Sequence, residues 1–169
     1  MKSLVYIRPL VVDDAKISWT WRNDAEIWKF TEFKPDRFIS PEMEADWLKR
    51  KLLQPYEKRF AICLAESDQY IGNIQLIDIE RGAAWYHLFI GEKLFWGKGI
   101  SQYATRLLLS YAFSELELTT VLLEVHVFNV AARAVYDKIG FIPFATNQKT
   151  GFIQMKISKV GFENTLVVS

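Results

Sequence analysis

The chain has 169 residues, half of them apolar, and 21 Lys+Arg against 20 Asp+Glu leave a net charge of +1. That length suits one domain over residues 1–169 with a sizeable core, and the near-neutral balance gives no electrostatic case for nucleic acid or an anionic membrane as partner. No run approaches the ~20 apolar residues of a membrane span, and Arg8 and Pro9 cut the first apolar run too short for a signal-peptide core. The lone Cys63 lies in an apolar run and reads as a small buried hydrophobe. A soluble, cytoplasmic protein, monomer or homodimer, is expected.

The opening LVYIRPL predicts a strand that stops at Pro9. A helix is expected from Asp13 or Asp14, with a second short one near Glu26. Ser40, Pro41 and Glu42 then supply an N-cap, a proline at the first helical position and an acidic first turn, for a helix running towards the LLQP that ends at Pro55. RFAICLA, YIGNIQLIDIE and AAWYHLFIG read as three strands punctuated by Gly72 and Gly82, hence consecutive antiparallel neighbours.

Ile100, Ala104, Leu107, Leu108, Tyr111 and Ala112 recur at helical spacing and predict a helix from about Gly99 to Leu116. TTVLLEVHVF is a two-faced strand, with Val121, Leu123, Val125 and Val127 on one side and Leu122, Glu124, His126 and Phe128 on the other. NVAARAVYDKIG is a helix with Asn129 as N-cap and Gly140 as its closing glycine. FIPFA and FIQMKIS close the chain as strands. Strands followed by helix, strand, helix and strand make a mixed-sheet α/β domain.

The segment FIGEKLFWGKGIS raises the first functional question. Gly97 and Gly99 flank Lys98 directly before a helix, which fits either a plain turn or a phosphate cradle. A nucleotide P-loop fails on count: Gly91 to Gly97 is one residue too long, and Gly99 stands where Ser or Thr must bind magnesium. A dinucleotide fingerprint would need glycine at Gln102. What remains is a helix N-terminus whose free N–H groups and dipole favour an anion, with no Cβ to keep it from the backbone.

The second constellation is LEVHVFNVAARAVYDKIGF, with Glu124, Asn129, Tyr136 and Gly140-Phe141 in one strand–turn–helix unit. With the glycine loop some thirty residues earlier, it resembles the two halves of the acetyl-CoA site in the GNAT (GCN5-related N-acetyltransferase) superfamily. YIRPL and WRND near the start are similar to the subgroup of ribosomal-protein alanine, spermidine and nucleotide-amino-sugar acetyltransferases. The resemblance implies a mostly antiparallel sheet flanked by helices and splayed at the acetyl-CoA site. It assigns the coenzyme to Leu88, Phe89, Ile90, Phe95, Trp96, Gly97, Lys98, Gly99, Ile100, Ser101 and Asn129. Where the family's loop usually opens with Gln or Arg this chain has Leu94, and Trp85 and His87 stand where the subgroup often carries Glu and Gly.

Acetyl transfer to an amine needs a base for an ammonium of pKa ~10 and a proton for the departing thiolate. The resemblance casts Glu124 as the base and Tyr136 as the acid. A carboxylate in so apolar a strand is otherwise expected to be paired or at an edge. His87 is a further base candidate, or an ordinary strand histidine. Trp21, Arg22 and His87 are the candidate acceptor contacts, with aromatic faces and a cation suited to a nucleotide-linked amino sugar; the alternatives are that the tryptophans are core and that Arg22 pairs with Asp24. A polyamine or protein N-terminus as acceptor, and an inert CoA-binding module, are the rival functions. No Cys/His/Asp cluster has metal-ligand spacing, so no metal is expected.

Overall fold

The structure is a computed structural model that describes residues 4–32 and 34–167. Strand β1 (Val5–Pro9) leads through a short 3-10 turn (Val12–Asp14) into α1 (Ala15–Arg22), and α2 spans Pro41–Lys51. Ser40 caps α2 by accepting the Met43 N–H at 3.2 Å, as its sequence predicts, but the helix ends at Lys51, with Leu52 as C-cap. The second short helix expected near Glu26 does not form. Asp24 takes the Glu26 N–H on its side chain, and the Trp28 indole donates to Trp21 O at 2.8 Å. These bonds tie the segment into successive turns.

Three antiparallel strands follow, β2 (Lys58–Leu64), β3 (Tyr70–Glu80) and β4 (Ala83–Ile90). Gly82, at φ +77°, turns the chain between β3 and β4 as expected. Gly72 does not punctuate: it lies inside β3, and a side chain there would strike Phe89 O and Ile90 Cα of the neighbouring strand. The reversal between β2 and β3 falls instead on residues 65–69, with Asp68 at φ 59°. Helix α3 (Ile100–Ser114), β5 (Thr120–His126), α4 (Val130–Ile139), β6 (Ile142–Asn147), β7 (Phe152–Ser158) and α5 (Lys159–Val167) complete the chain. Val127 and Phe128 lie beyond the end of β5.

The seven strands are ordered β1-β2-β3-β4-β5-β7-β6. Each neighbouring pair is antiparallel except β4 and β5, which run parallel. That pair meets only at Ala83–Thr120, Ala84–Val121 and Trp85–Leu122. Beyond it β4 runs five residues on to Ile90 and β5 four residues to His126 without pairing to each other. This is the splay in the sheet.

The larger core lies under α3, where Ile100, Ala104, Leu108, Leu109, Ala112 and Phe113 pack on Ile62, Ile74, Leu76, Tyr86, Val121 and Leu123. Each such large side chain contributes roughly 1.5–3 kcal/mol by leaving water. The opposite face carries α1 and α2, with Trp21, Leu48 and Tyr70 over Ala61 and the fully buried Cys63. In the C-terminal segment Phe162 packs on Phe113 at 5.6 Å, while Leu166 and Val167 are exposed. Val168 and Ser169 lie outside the described residues. Among the described residues no helix is long and apolar enough to cross a membrane.

Candidate active site

The glycine loop joins the carboxyl end of β4 to α3. The Gly91 and Glu92 N–H groups both donate to Ile71 O, at 2.8 and 3.1 Å, and the Trp96 indole donates to Ile90 O at 2.9 Å. Phe95 packs against the core, and Lys98 lies over its ring at 5.3 Å. From this anchored base Gly97 and Gly99 take φ values of +73° and +76°, a region that disfavours other residues. Gly99 is the N-cap of α3 and offers no capping side chain.

The first bond of the helix runs from the Tyr103 N–H to Gly99 O, so the amides of Ile100, Ser101 and Gln102 come before it. Nothing stands within 4 Å of where a Cβ would sit at Gly97 or Gly99. The result is a helix N-terminus whose backbone donors stand beside two positions without a side chain, an arrangement that favours an anion.

On β4, Leu88 and Ile90 face the α3 side, and Phe89 faces α1 against Trp21 and Trp28. All three pair with β3 along one edge. Among the described residues no strand lies beside their other edge, although Ile90 O is already engaged by the Trp96 indole. Across the gap Asn129 caps α4, its Oδ1 accepting the Ala132 N–H at 3.3 Å, which leaves the amide NH2 to donate. Arg133 is engaged with Val127 O at 3.1 Å.

Tyr136 approaches from the α4 side. Its ring meets Tyr86 edge-on at 5.8 Å and Phe141 at 5.7 Å. Burial pushes its phenol up to about 12, so it carries its proton at neutral pH.

The opposite face of the sheet carries a polar row. Arg59, Gln75 and His87 are in register across β2, β3 and β4, and Glu124 and Gln154 are in register across β5 and β7. Arg59 is pinned by Glu57 at 2.6 Å and donates to Gln75 Oε1 at 2.5 Å, while Gln154 Nε2 donates to Glu124 Oε1 at 2.8 Å. Trp85–Leu122 is the last paired position of β4 and β5. Two residues on, His87 and Glu124 hold matching places on either side of the gap. Burial, reinforced by the Arg59 charge, holds the half-buried His87 below the ordinary imidazole value, with Glu124 and Asp78 pulling the other way. Glu124 is exposed; it satisfies the pairing expectation through Gln154.

Two expected acceptor contacts need correction. Trp21 is only 4% exposed, its indole donating to Glu92 Oε1 at 3.0 Å and its ring packed on Tyr70 and against Gly91, where any Cβ would collide with it. It is core. Arg22 is held between Trp28 and Trp47, 5.0 and 5.1 Å from their ring centroids, with Nε 3.4 Å from Glu44 Oε2. Glu44 is buried and also accepts from Ser18, so Arg22 neutralises a charge inside the protein. Its partner is Glu44, not Asp24.

Lys93 was not foreseen. It bridges Asp24 at 2.8 Å and Glu26 at 2.7 Å, on the rim of a groove of about 510 Å³ lined by Thr20, Trp21, Asp24, Gly91, Glu92 and Leu94. Among the described residues no three His, Cys, Asp or Glu side chains are grouped as metal ligands.

Known proteins share this architecture. The acetyltransferase (GNAT) domain family matches residues 5–142. The probable N-acetyltransferase YjcK of Bacillus subtilis (strain 168) is 32% identical over 150 residues, covering 81% of this chain and 80% of that protein. Among solved structures, the spermidine N-acetyltransferase from Vibrio cholerae in complex with CoA and spermine superposes with a TM-score of 0.84. It is 22% identical, over 96% of this chain and 100% of that one. A domain from Methanocaldococcus jannaschii DSM 2661 has a TM-score of 0.78 at 17% identity, over 93% and 99% of the two chains. The two solved structures speak for the fold. The matched domain and the Bacillus relative go further: the chain belongs to the GNAT acetyltransferase family and is an N-acetyltransferase.

Proposed function

We propose that the protein moves the acetyl group of acetyl-CoA directly to the primary amine of a small molecule, at the gap between β4 and β5. The observation that carries this reading is the meeting of three features there. Gly97 and Gly99 leave open space beside the backbone after β4, Tyr136 packs edge-on against Tyr86 of β4 from the α4 side, and Glu124 and His87 hold matching register positions past the last β4–β5 pair on the opposite face. The diphosphate of the coenzyme suits the amides from Gly97 to Ser101. Its extended arm suits the unpaired edge of Leu88, Phe89 and Ile90, with the Asn129 amide as a further donor.

Bound there, acetyl-CoA supplies an acyl carbon and a thiol leaving group. The amine nitrogen bonds to that carbon and the C–S bond breaks. Glu124 takes the nitrogen's surplus proton, with the unprotonated His87 beside it, and Tyr136 gives its proton to sulfur. Cys63 is fully buried and takes no part, which favours direct transfer over an acyl-enzyme.

The two anchors for a nucleotide-linked amino sugar, Trp21 and Arg22, are occupied within the protein. Among the described residues, the groove and the ion pairs at its rim instead set Asp24, Glu26 and Glu92 around the cation Lys93, with Glu124 exposed at the gap. This charge suits a cationic amine, so a polyamine stands ahead of an amino-sugar nucleotide or a peptide N-terminus. A CoA-release screen over these three classes tests the reading. Release should rise most with a polyamine, and Glu124→Gln and Tyr136→Phe should each lower kcat by ~100-fold. Thiol release that no amine accelerates would leave only an inert CoA-binding module.

A further inference from the structure

Beyond Trp85–Leu122, the last paired position of β4 and β5, the sheet face opposite α3 carries first His87 and Glu124, then Phe89 and His126, at matching places on the two strands. The turns that follow α1 reach both members of the second pair. Trp28 packs its ring on Phe89 at 4.9 Å, and Phe30 stacks on His126 at 6.1 Å with 23° between the ring planes. Residues two apart in one short segment thus touch both strands where the strands no longer pair with each other. The segment crosses the gap as a bridge.

Both feet of the bridge are fixed. Trp28 is 7% exposed, its indole donates to Trp21 O at 2.8 Å, and the Arg22 guanidinium lies over its ring at 5.0 Å. On the other side His126 accepts the Phe128 N–H on Nδ1 at 3.3 Å and meets the Phe152 ring edge-on at 5.2 Å. A side chain at Gly151 would come within 2.9 Å of His126 Nε2, so the glycine makes room for the imidazole. Phe30, half-buried, is the piece that joins the two sides.

We infer that Phe30 is a specificity-determining residue: stacked on His126, it closes the far end of the window through which an amine reaches Glu124, and so admits an unbranched alkylamine ahead of a bulky one. This rests on acetyl transfer taking place at the β4–β5 gap. The Trp85–Leu122 pair bounds one end of the window and the bridge the other, about 13 Å further on at ~3.3 Å per strand residue. His87 and Glu124 lie midway between them. A polymethylene chain enters such a window end-on. An amine with a ring beside its nitrogen must press on Phe30.

The test is steady-state kinetics with two probes that each carry two primary amines, unbranched putrescine and ring-bearing p-xylylenediamine. The unaltered chain should favour putrescine in kcat/KM. Phe30→Ala should raise the ratio of p-xylylenediamine to putrescine about tenfold, the order a pocket gains from a few methylene groups of space, and leave calorimetric CoA affinity unchanged. Phe30→Trp, which keeps a ring on His126, should not raise it. His126→Ala removes the other half of the stack and should raise the ratio too; it carries the test if Phe30→Ala does not fold. A ratio that stays constant in both variants, or kcat/KM values that fall equally for the two amines, would mean that the stack only packs the turn. If Glu124→Gln still slows both amines in that case, Phe30 loses its role and transfer at the gap stands. Full kcat in both Glu124→Gln and Tyr136→Phe, or turnover of neither probe by the unaltered chain, would overturn both readings together.

Discussion

Replacing Gly97 or Gly99 by alanine separates two effects that a glycine at positive φ usually confounds. At φ +73° and +76° an alanine strains the backbone by roughly 1–2 kcal/mol. That strain is present with and without ligand, so it lowers stability and cancels from binding. The added methyl meets no protein atom within 4 Å, so the free protein accommodates it. What it meets is whatever approaches the amides of the loop. A diphosphate pushed back from one amide loses a hydrogen bond to a charged group, about 1.5–3 kcal/mol, which is roughly 10- to 150-fold in affinity.

Calorimetric titration with CoA measures this directly. Gly82→Ala is the control, since Gly82 has nearly the same dihedral, φ +77°, in the turn between β3 and β4. It should lose stability and keep CoA affinity. Folded Gly97→Ala and Gly99→Ala proteins that bind CoA as tightly as the unaltered chain would refute the cradle. So would an equal loss in Gly82→Ala.

Two further outcomes follow from buried charge. Arg22→Ala removes the cation that offsets burial of the Glu44 carboxyl, which burial already pushes towards its protonated form, and leaves it only Ser18 as a partner; the change should cost up to about 3 kcal/mol of stability in denaturant melts. A variant of full stability with only a raised KM for the amine would return Arg22 to the acceptor site. His87 titrates below its ordinary value of ~6.5 in the folded chain. Between those two values the unfolded chain binds the extra proton, so stability should fall as pH drops through that window, while above ~6.5 His87 contributes nothing. His87→Gln should flatten that part of the melting-temperature profile, and an unchanged slope would mean that His87 is solvated.

Periodicity carried most of the fold, because burial here follows it closely: Val121, Leu123 and Val125 alternate inward and Ile100, Ala104, Leu108 and Ala112 line one helical face. The caps at Ser40 and Asn129 were legible because capping is a local bond between residues three apart. The failures were nonlocal. The Glu26 segment has helical composition, but Trp28 bonds back to Trp21 and holds it in turns. Gly72 looks like punctuation, and only the close approach of Phe89 on another strand explains it. Arg22 finds Glu44 on a different helix and Lys93 finds Asp24 and Glu26 sixty-odd residues away, pairings that no spacing announces. The contact of Phe30 with His126 escaped notice for the same reason, since nothing links the two until the turn is laid across the sheet.

The parallel junction explains why the proposed site falls at one place in the sheet. The chain leaves the end of β4, crosses over by α3 and returns as β5 in the same direction, so the loop before α3 lies outside the carboxyl end of β4, where ligands of α/β sheets gather. Separation of the two strands past Trp85 and Leu122 then opens a slot that both faces of the sheet reach. The faces differ in kind. On the α4 side burial drives the Tyr136 phenol up to about 12, so its proton stays on. On the opposite side burial, with Arg59 behind it, drives His87 down, so its proton stays off, next to the carboxylate of Glu124. One physical cause, desolvation, thus favours the neutral form of both groups, so the proposed scheme would find a proton on Tyr136 and none on His87 beside Glu124 at neutral pH. A transfer that must remove a proton from nitrogen and return one to sulfur needs both at once.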